Sequence, residues 1–178
     1  MAATAPRARR RPRRATAWAA CVLVLGVTAS RMPPAAAAEP SATRGLPPAV
    51  ARTREALLRL AGRNDYEGLA RLALAPGKRF VYHQGFAQRR PAAHWRQQAA
   101  RGEAPLTKLA AVLRLRPVQR HGVFFWPAAA MNPDETAWAD LRALYPATRI
   151  LRFQQEGYTG WRAGIEADGR WTMFLAGT

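Results

Sequence analysis

Cysteine is nearly missing from this chain. Cys21 is the only one in 178 residues, and it sits inside an apolar run near the start. Beyond that run no disulfide framework, thiolate metal site or cysteine nucleophile can be built. Serine is almost as scarce. From residue 39 onward Ser41 stands alone, without a G-x-S-x-G turn, which argues against serine-type hydrolysis. No G-x-x-x-x-G-K-[ST] and no helix-opening G-x-G-x-x-G occurs, so the glycines punctuate turns and cradle no phosphate. The three histidines, His83, His94 and His121, form no HExxH or H-x-H pair, and no metal or other cofactor is expected. Lysine is confined to Lys78 and Lys108, so arginine carries the positive charge.

Long apolar runs are also few. The one candidate, "ATAWAACVLVLGVTAS", has 16 residues, short of the ~20 that a spanning helix needs. It follows a positive segment containing Arg7, Arg9, Arg10, Arg11, Arg13 and Arg14 and precedes "PPAAAAEP". That order is the secretory signal pattern and predicts a removable leader over residues 1–38, cleaved near Ala38. Arg13-Arg14 raises twin-arginine export, but Ala15-Thr16-Ala17 is a poor continuation of such a signal. The apolar run continues past Cys21, whereas a lipidated cysteine would end it. The chain is therefore expected in the periplasm or secreted, with no span left after cleavage.

The formal net charge of +17 exaggerates the basicity of the remainder. Seven of the 28 basic residues and none of the 11 acidic ones precede residue 39, which leaves +10 beyond it. A mild attraction to anionic surfaces follows. The arginines are scattered over the outer faces of predicted helices and do not cluster with aromatics, which argues against nucleic acid.

After a polar, proline-rich lead-in at 39–48, residues 49–178 read as one domain. "AVARTREALLRLAG" predicts a helix, and Asn64 is placed to cap a second, "DYEGLARLAL". "KRFVYHQGF" alternates as a strand, with Phe80, Tyr82 and Gln84 opposite Val81 and His83. "PAAHWRQQAARG" and "PLTKLAAVLRLRP" predict two more helices, the latter with Leu106, Leu109, Ala110 and Leu113 on one face. "VQRHGVFFWP" reads as a second strand. "NPDETAWADLRALYP" reads as a helix capped by Asn132, with Glu135 in the capping-box position and Ala137, Trp138, Leu141, Leu144 and Tyr145 facing inward. "TRILRFQQ" reads as a third strand. The last stretch, "GYTGWRAGIEADGRWTMFLAGT", is a hairpin turning at Asp168-Gly169. A two-residue turn pairs Ile165 with Thr172 and Ala163 with Phe174, and a bulged three-residue turn shifts every pair by one. The elements add up to an α+β fold, with helices packed on one face of a small, mostly antiparallel, curved sheet.

Few residues offer chemistry. His83 and His121 lie in predicted strands that could bring them face to face across a sheet, with Tyr82 and Glu156 nearby. Trp126 ends a strand where the chain turns, at a place where its ring can line a pocket mouth. Tyr82, His83, His121, Trp126 and Glu156 are thus the candidate ligand-binding residues, and no catalytic or metal set is assigned.

Two stretches resemble known groups. "REALLRLAGRNDYEGLARLA" is similar to the start of NTF2-like (cystatin-like) domains, a resemblance that implies a sheet curled round a helix, in a group holding both dehydratase- or isomerase-type enzymes and non-catalytic modules. "LTKLAAVLRLRP", "VFFWPAAA" and the final hairpin resemble a group of uncharacterised exported bacterial proteins that share a terminal DGxWxxFxAG signature. That resemblance covers about residues 50–178 and implies location and fold without an activity. The leading expectation is an exported, non-catalytic module binding a partner or small ligand at the bacterial cell envelope. One alternative is a cofactor-free NTF2-like enzyme using His83 or His121 in a pocket. Another is an arginine-driven binder of anionic polymer.

Overall fold

The structure is a computed structural model that describes residues 45–75, 80–82 and 90–176. The first two helices, α1 (Pro48–Gly62) and α2 (Tyr66–Ala73), form a hairpin. α1 buries Val50, Arg54, Leu57 and Ala61, one per turn along a single face. Arg54 is the exception to an otherwise apolar stripe. Its guanidinium is 3 % exposed and donates through Nε to the Leu113 carbonyl at 2.7 Å. That carbonyl closes the last turn of α4 (Pro105–Leu113), where the helix dipole favours a cation.

The cap of α2 lies one residue later than expected. Asp65 accepts the Gly68 N–H at 2.7 Å, while Asn64 takes φ 54. Asparagine tolerates the left-handed region that this tight link demands, and the adjacent carboxylate is then free to cap. α3 (Pro91–Ala100) and α4 each begin on a proline, whose missing N–H costs nothing at a helix start. Leu106, Leu109 and Leu113 are buried as their spacing requires, and Ala110 is half-buried.

The sheet is a four-stranded antiparallel meander, β1 (Val118–Arg120), β2 (Val123–Trp126), β3 (Trp161–Glu166) and β4 (Trp171–Ala176), with the helices on one face. The stretch 118–127, expected as one strand, is a hairpin. His121 (φ 48) and Gly122 (φ 77) form a two-residue turn that needs positive φ at both positions. The expected strand at 78–86 is described only over 80–82. There Val81 lies parallel to Met173, with its N–H on the Thr172 carbonyl and its carbonyl on the Phe174 N–H, both at 2.9 Å.

Two further expectations need correction. Asp134, not Asn132, caps α5 (Glu135–Asp140), accepting the Ala137 N–H at 2.6 Å. The helix then tightens into a 3-10 turn, Leu141–Ala143, and does not run on to Tyr145. "TRILRFQQ" is not a strand but most of α6 (Ala147–Glu156), entered through the extended Pro146. Only Ile150 and Phe153, three residues apart, are buried there, and Leu151 between them is 56 % exposed. Inward positions three apart fit a helix and defeat the alternation of a strand.

The β3–β4 hairpin combines both expected registers. Glu166 and Arg170 bracket a three-residue turn, with Gly169 N–H on the Glu166 carbonyl and Glu166 N–H on the Arg170 carbonyl. Ile165 therefore pairs with Trp171, and the shift between Gly164 and Ile165 leaves Ala163 opposite Phe174 and Trp161 opposite Ala176. One bulge cancels the offset made by the turn, so Trp161, Ala163, Ile165, Trp171 and Phe174 all reach the core.

Around that face the aromatics interlock. Trp95 of α3 stacks on Trp171 at 5.7 Å between ring centres, Phe80 meets Trp171 edge-on at 4.6 Å, and Phe174 stacks on Trp161 at 5.0 Å. Gly169 ties this hairpin to α1. Its φ is +92, a Cβ there would come within 2.8 Å of the Ala49 carbonyl oxygen, and its own carbonyl accepts from the Thr53 hydroxyl. Gly169→Val is therefore expected to cost about 2 kcal/mol or more, because it adds left-handed strain to a backbone collision. Urea denaturation of the variant checks this, and an unchanged midpoint would reject the turn as described.

Candidate functional site

Of the residues singled out from sequence, the four that are described fall in different surroundings. Tyr82 is 5 % exposed and packs against the aromatic cluster, 5.2 Å from the His94 ring and 6.0 Å from Phe80. Burial pushes its hydroxyl above the ordinary tyrosine value, opposed in part by the Arg90 backbone. His83 lies outside the described residues. His121 is exposed at the tip of the β1–β2 turn, and Glu156 is exposed at the end of α6. Trp126 is wholly buried and fills the core instead of standing at a pocket mouth, and its indole N–H meets no acceptor among the described residues. Among the described residues no three His, Cys, Asp or Glu side chains are grouped to hold a metal ion.

A groove of about 470 Å³ opens between α5 with its 3-10 extension and α6. Trp138 and Ala139 form one wall, and Ala147, Ile150, Leu151 and Gln154 form the other. The second wall follows the i, i+3, i+4, i+7 spacing of one helical face. Glu135 and Arg142 stand at the rim, both exposed, and neither makes an ion pair among the described residues. Leu151 is the most exposed large apolar side chain described. The sequence hides this wall, because the short apolar pair in 148–155 suits a strand as well as a helix. The signal that would have found it is Pro146 followed by apolar positions at helical spacing.

The walls are fixed by polar ties at either end. Arg116, just ahead of β1, reaches Asp134 at 3.2 Å and Asp140 at 3.3 Å, spanning both ends of α5. The Ala137 N–H, with Arg116 adding to it, holds the Asp134 carboxyl below its ordinary value against a smaller opposing effect of desolvation. At the far end of α6 two tyrosines clasp the start of β3. The Tyr145 hydroxyl accepts the Trp161 N–H at 2.8 Å, and the Tyr158 hydroxyl donates to the Trp161 carbonyl at 2.6 Å. Gly160 makes room for them, since a Cβ there would stand 2.6 Å from both hydroxyl oxygens. Burial is the main cause that drives the Tyr158 hydroxyl far above its ordinary value, leaving it neutral and a donor.

A second groove of about 320 Å³ lies between α1, α2 and the β3–β4 turn, lined by Thr53, Leu72 and Trp171 among others. Its polar groups are engaged within the protein: Thr53 binds the Gly169 carbonyl, and Arg170 pairs with Glu166 and Asp168. The rim charges of the α5–α6 groove, Glu135 and Arg142, have no ion-pair partner among the described residues, which makes it the better candidate.

No family model, curated protein or solved structure matches the chain. The site therefore rests on its own geometry. No described helix is long and apolar enough to cross a membrane.

Asp134 offers a pH test of the groove's frame. Its folded-state pKa is depressed, so its contribution is present above the ordinary carboxylate value and is lost as pH falls through the folded one. Asp134→Asn keeps a capping oxygen and removes the charge. The stability gap between wild type and Asp134→Asn should be largest above about pH 5 and close as pH drops below about 4. Denaturation midpoints measured from pH 6 to pH 2 check this, and a gap that stays constant across the range would contradict it.

Proposed function

We propose that this chain is an exported, non-catalytic module of the bacterial cell envelope, and that its α5–α6 groove receives an apolar side chain from a partner protein. Leu151 carries the reading. An apolar side chain 56 % exposed on the wall of a groove that also presents Trp138 leaves unburied surface that a partner can cover. The groove is an open trough, suited to a side chain projecting from a chain and less to an enclosed small molecule. Glu135 and Arg142, one of each sign, can orient the flanking backbone or side chains. The leader-like start supports export, and the resemblance to exported proteins with a terminal DGxWxxFxAG hairpin points the same way.

The NTF2-like enzyme reading gains less support. It needs an imidazole and a carboxylate converging in a pocket, whereas His121 is exposed on a turn and the groove lining includes no histidine.

A library of short peptides, each bearing one Leu, Phe or Trp between charged residues, tests the proposal by NMR. Peptides that bind are expected to shift the Trp138 indole N–H resonance. Leu151→Asp should weaken them about tenfold, or ~1.4 kcal/mol, without lowering the melting temperature of a protein in which Leu151 is exposed. A folded protein whose Trp138 resonance responds to no member of the library, or binding indifferent to Leu151→Asp, would overturn it.

A further inference from the structure

The two walls of the α5–α6 groove share one spacing. Glu135, Trp138, Ala139 and Arg142 fall at i, i+3, i+4 and i+7 along α5 and its 3-10 extension. Ala147, Ile150, Leu151 and Gln154 repeat that interval along α6. Each wall is therefore a row of side chains two turns long. The middle of both rows is apolar, and the charges stand at the two ends of the first. Glu135 opens α5, and Arg142 stands seven residues on, close to the link 144–146 that joins the walls. At ~1.5 Å of rise per residue the two charges are roughly 10 Å apart along the wall.

This pattern limits what can lie in the groove. Every lining residue belongs to a helical segment, and a helix flank offers side chains but few free backbone groups. Among the described residues no strand edge lines it. An extended peptide would bring its own N–H and C=O groups against Trp138, Ile150 and Leu151 and find no partners for them. A helix satisfies those groups internally. Its side chains form ridges at the same spacing as the walls, so the two surfaces can interlock. We propose, resting on the reading of this groove as a docking site, that its occupant is an amphipathic helix of a partner protein. That helix carries two charges of opposite sign, two turns apart, on either side of an apolar pair. Its basic residue meets Glu135, its apolar pair covers Leu151 and Trp138, and its acidic residue meets Arg142. Neither rim charge has an ion-pair partner among the described residues, so each gains one without breaking another. The groove thus selects a charge pattern, whereas the net positive charge of the domain would favour any acidic peptide.

Three alanine-rich peptides of about 20 residues, long enough to form a helix in water, test this. Each carries Leu at i+3 and i+4, and they differ only at i and i+7: Lys and Glu, Lys and Lys, or Glu and Glu. The Trp138 indole N–H resonance reports binding, and circular dichroism reports the helicity of the bound peptide. Exposed ion pairs contribute little each, so wild type at low salt is expected to prefer the mixed peptide over either like-charged one about fivefold. Glu135→Lys makes both ends of the wall positive and should transfer the preference to the Glu/Glu peptide. Arg142→Glu should transfer it to the Lys/Lys peptide. Both positions are exposed, and melting temperatures identify any variant that fails to fold. Glu135→Gln or Arg142→Gln then stands in, and the mixed peptide should lose its advantage over the Glu/Glu or the Lys/Lys peptide respectively. Proline at an outward position midway along the mixed peptide should weaken binding at least tenfold. Equal binding of the three peptides, tightest binding of Glu/Glu by every protein, or undiminished binding of the proline peptide would overturn the proposal and leave the groove reading standing. Failure of all three to move the Trp138 resonance also overturns it. The groove reading falls with it only if the shorter peptides bearing a single apolar residue fail as well.

Discussion

The stacking of Trp95 on Trp171 holds the helical layer to the sheet. With no cysteine after Cys21, residues 45–176 hold no covalent staple, and their cohesion must come from burial. Each large aromatic side chain buries about 150–250 Å². At about 25 cal/mol per Å² that is roughly 4–6 kcal/mol apiece before entropy is set against it. A single hydrogen bond contributes about 1 kcal/mol net. Burial at the α3–β4 contact therefore outweighs any one polar tie, and the chain concentrates its rings there, with Phe80, Phe174 and Trp161 completing the group.

Polar ties then decide geometry that burial alone leaves loose. Arg54 reaches from α1 to the last turn of α4, which fixes how those helices cross. Arg116 holds both ends of α5, and the tyrosine clasp sets the angle at which α6 hands the chain to β3. The consequence for function is one of position. α6 is anchored by Ile150 and Phe153 on its inner side, so its two flanks are left to the surface: Leu151 beside the α5 groove, and Arg149 over the Tyr145 and Phe153 rings.

Much of the fold was legible where one signal dominated. Prolines opened α3 and α4, and the leucine spacing of α4 placed its buried face correctly. Asp168-Gly169 announced the hairpin, and the alternation of Phe80, Val81 and Tyr82 survives as inward, outward, inward. Errors arose where two signals competed. In "TRILRFQQ" a short apolar pair suits either period, and only the packing of Ile150 and Phe153 chose the helix. "VQRHGVFFWP" reads as one strand from its apolar end, but His121 and Gly122 both take positive φ, and the strand folds back. Both caps lie one or two residues beyond the expected Asn because nearby Asn and Asp side chains are near-equal caps, and at α2 the left-handed backbone of Asn64 leaves the role to Asp65.

The sequence by itself determined the class of the protein: a cysteine-poor, arginine-rich α+β domain with an aromatic hairpin. Those properties follow from local composition and period, which need no knowledge of distant contacts. Only the tertiary structure decided the final register of the hairpin, the burial of Trp126 and Arg54, and the separation of Tyr82, His121 and Glu156. It also assembled the groove from segments whose meeting depends on how α6 packs. A residue's neighbours across the fold are set by the packing of the whole core, and no window of adjacent letters contains that information.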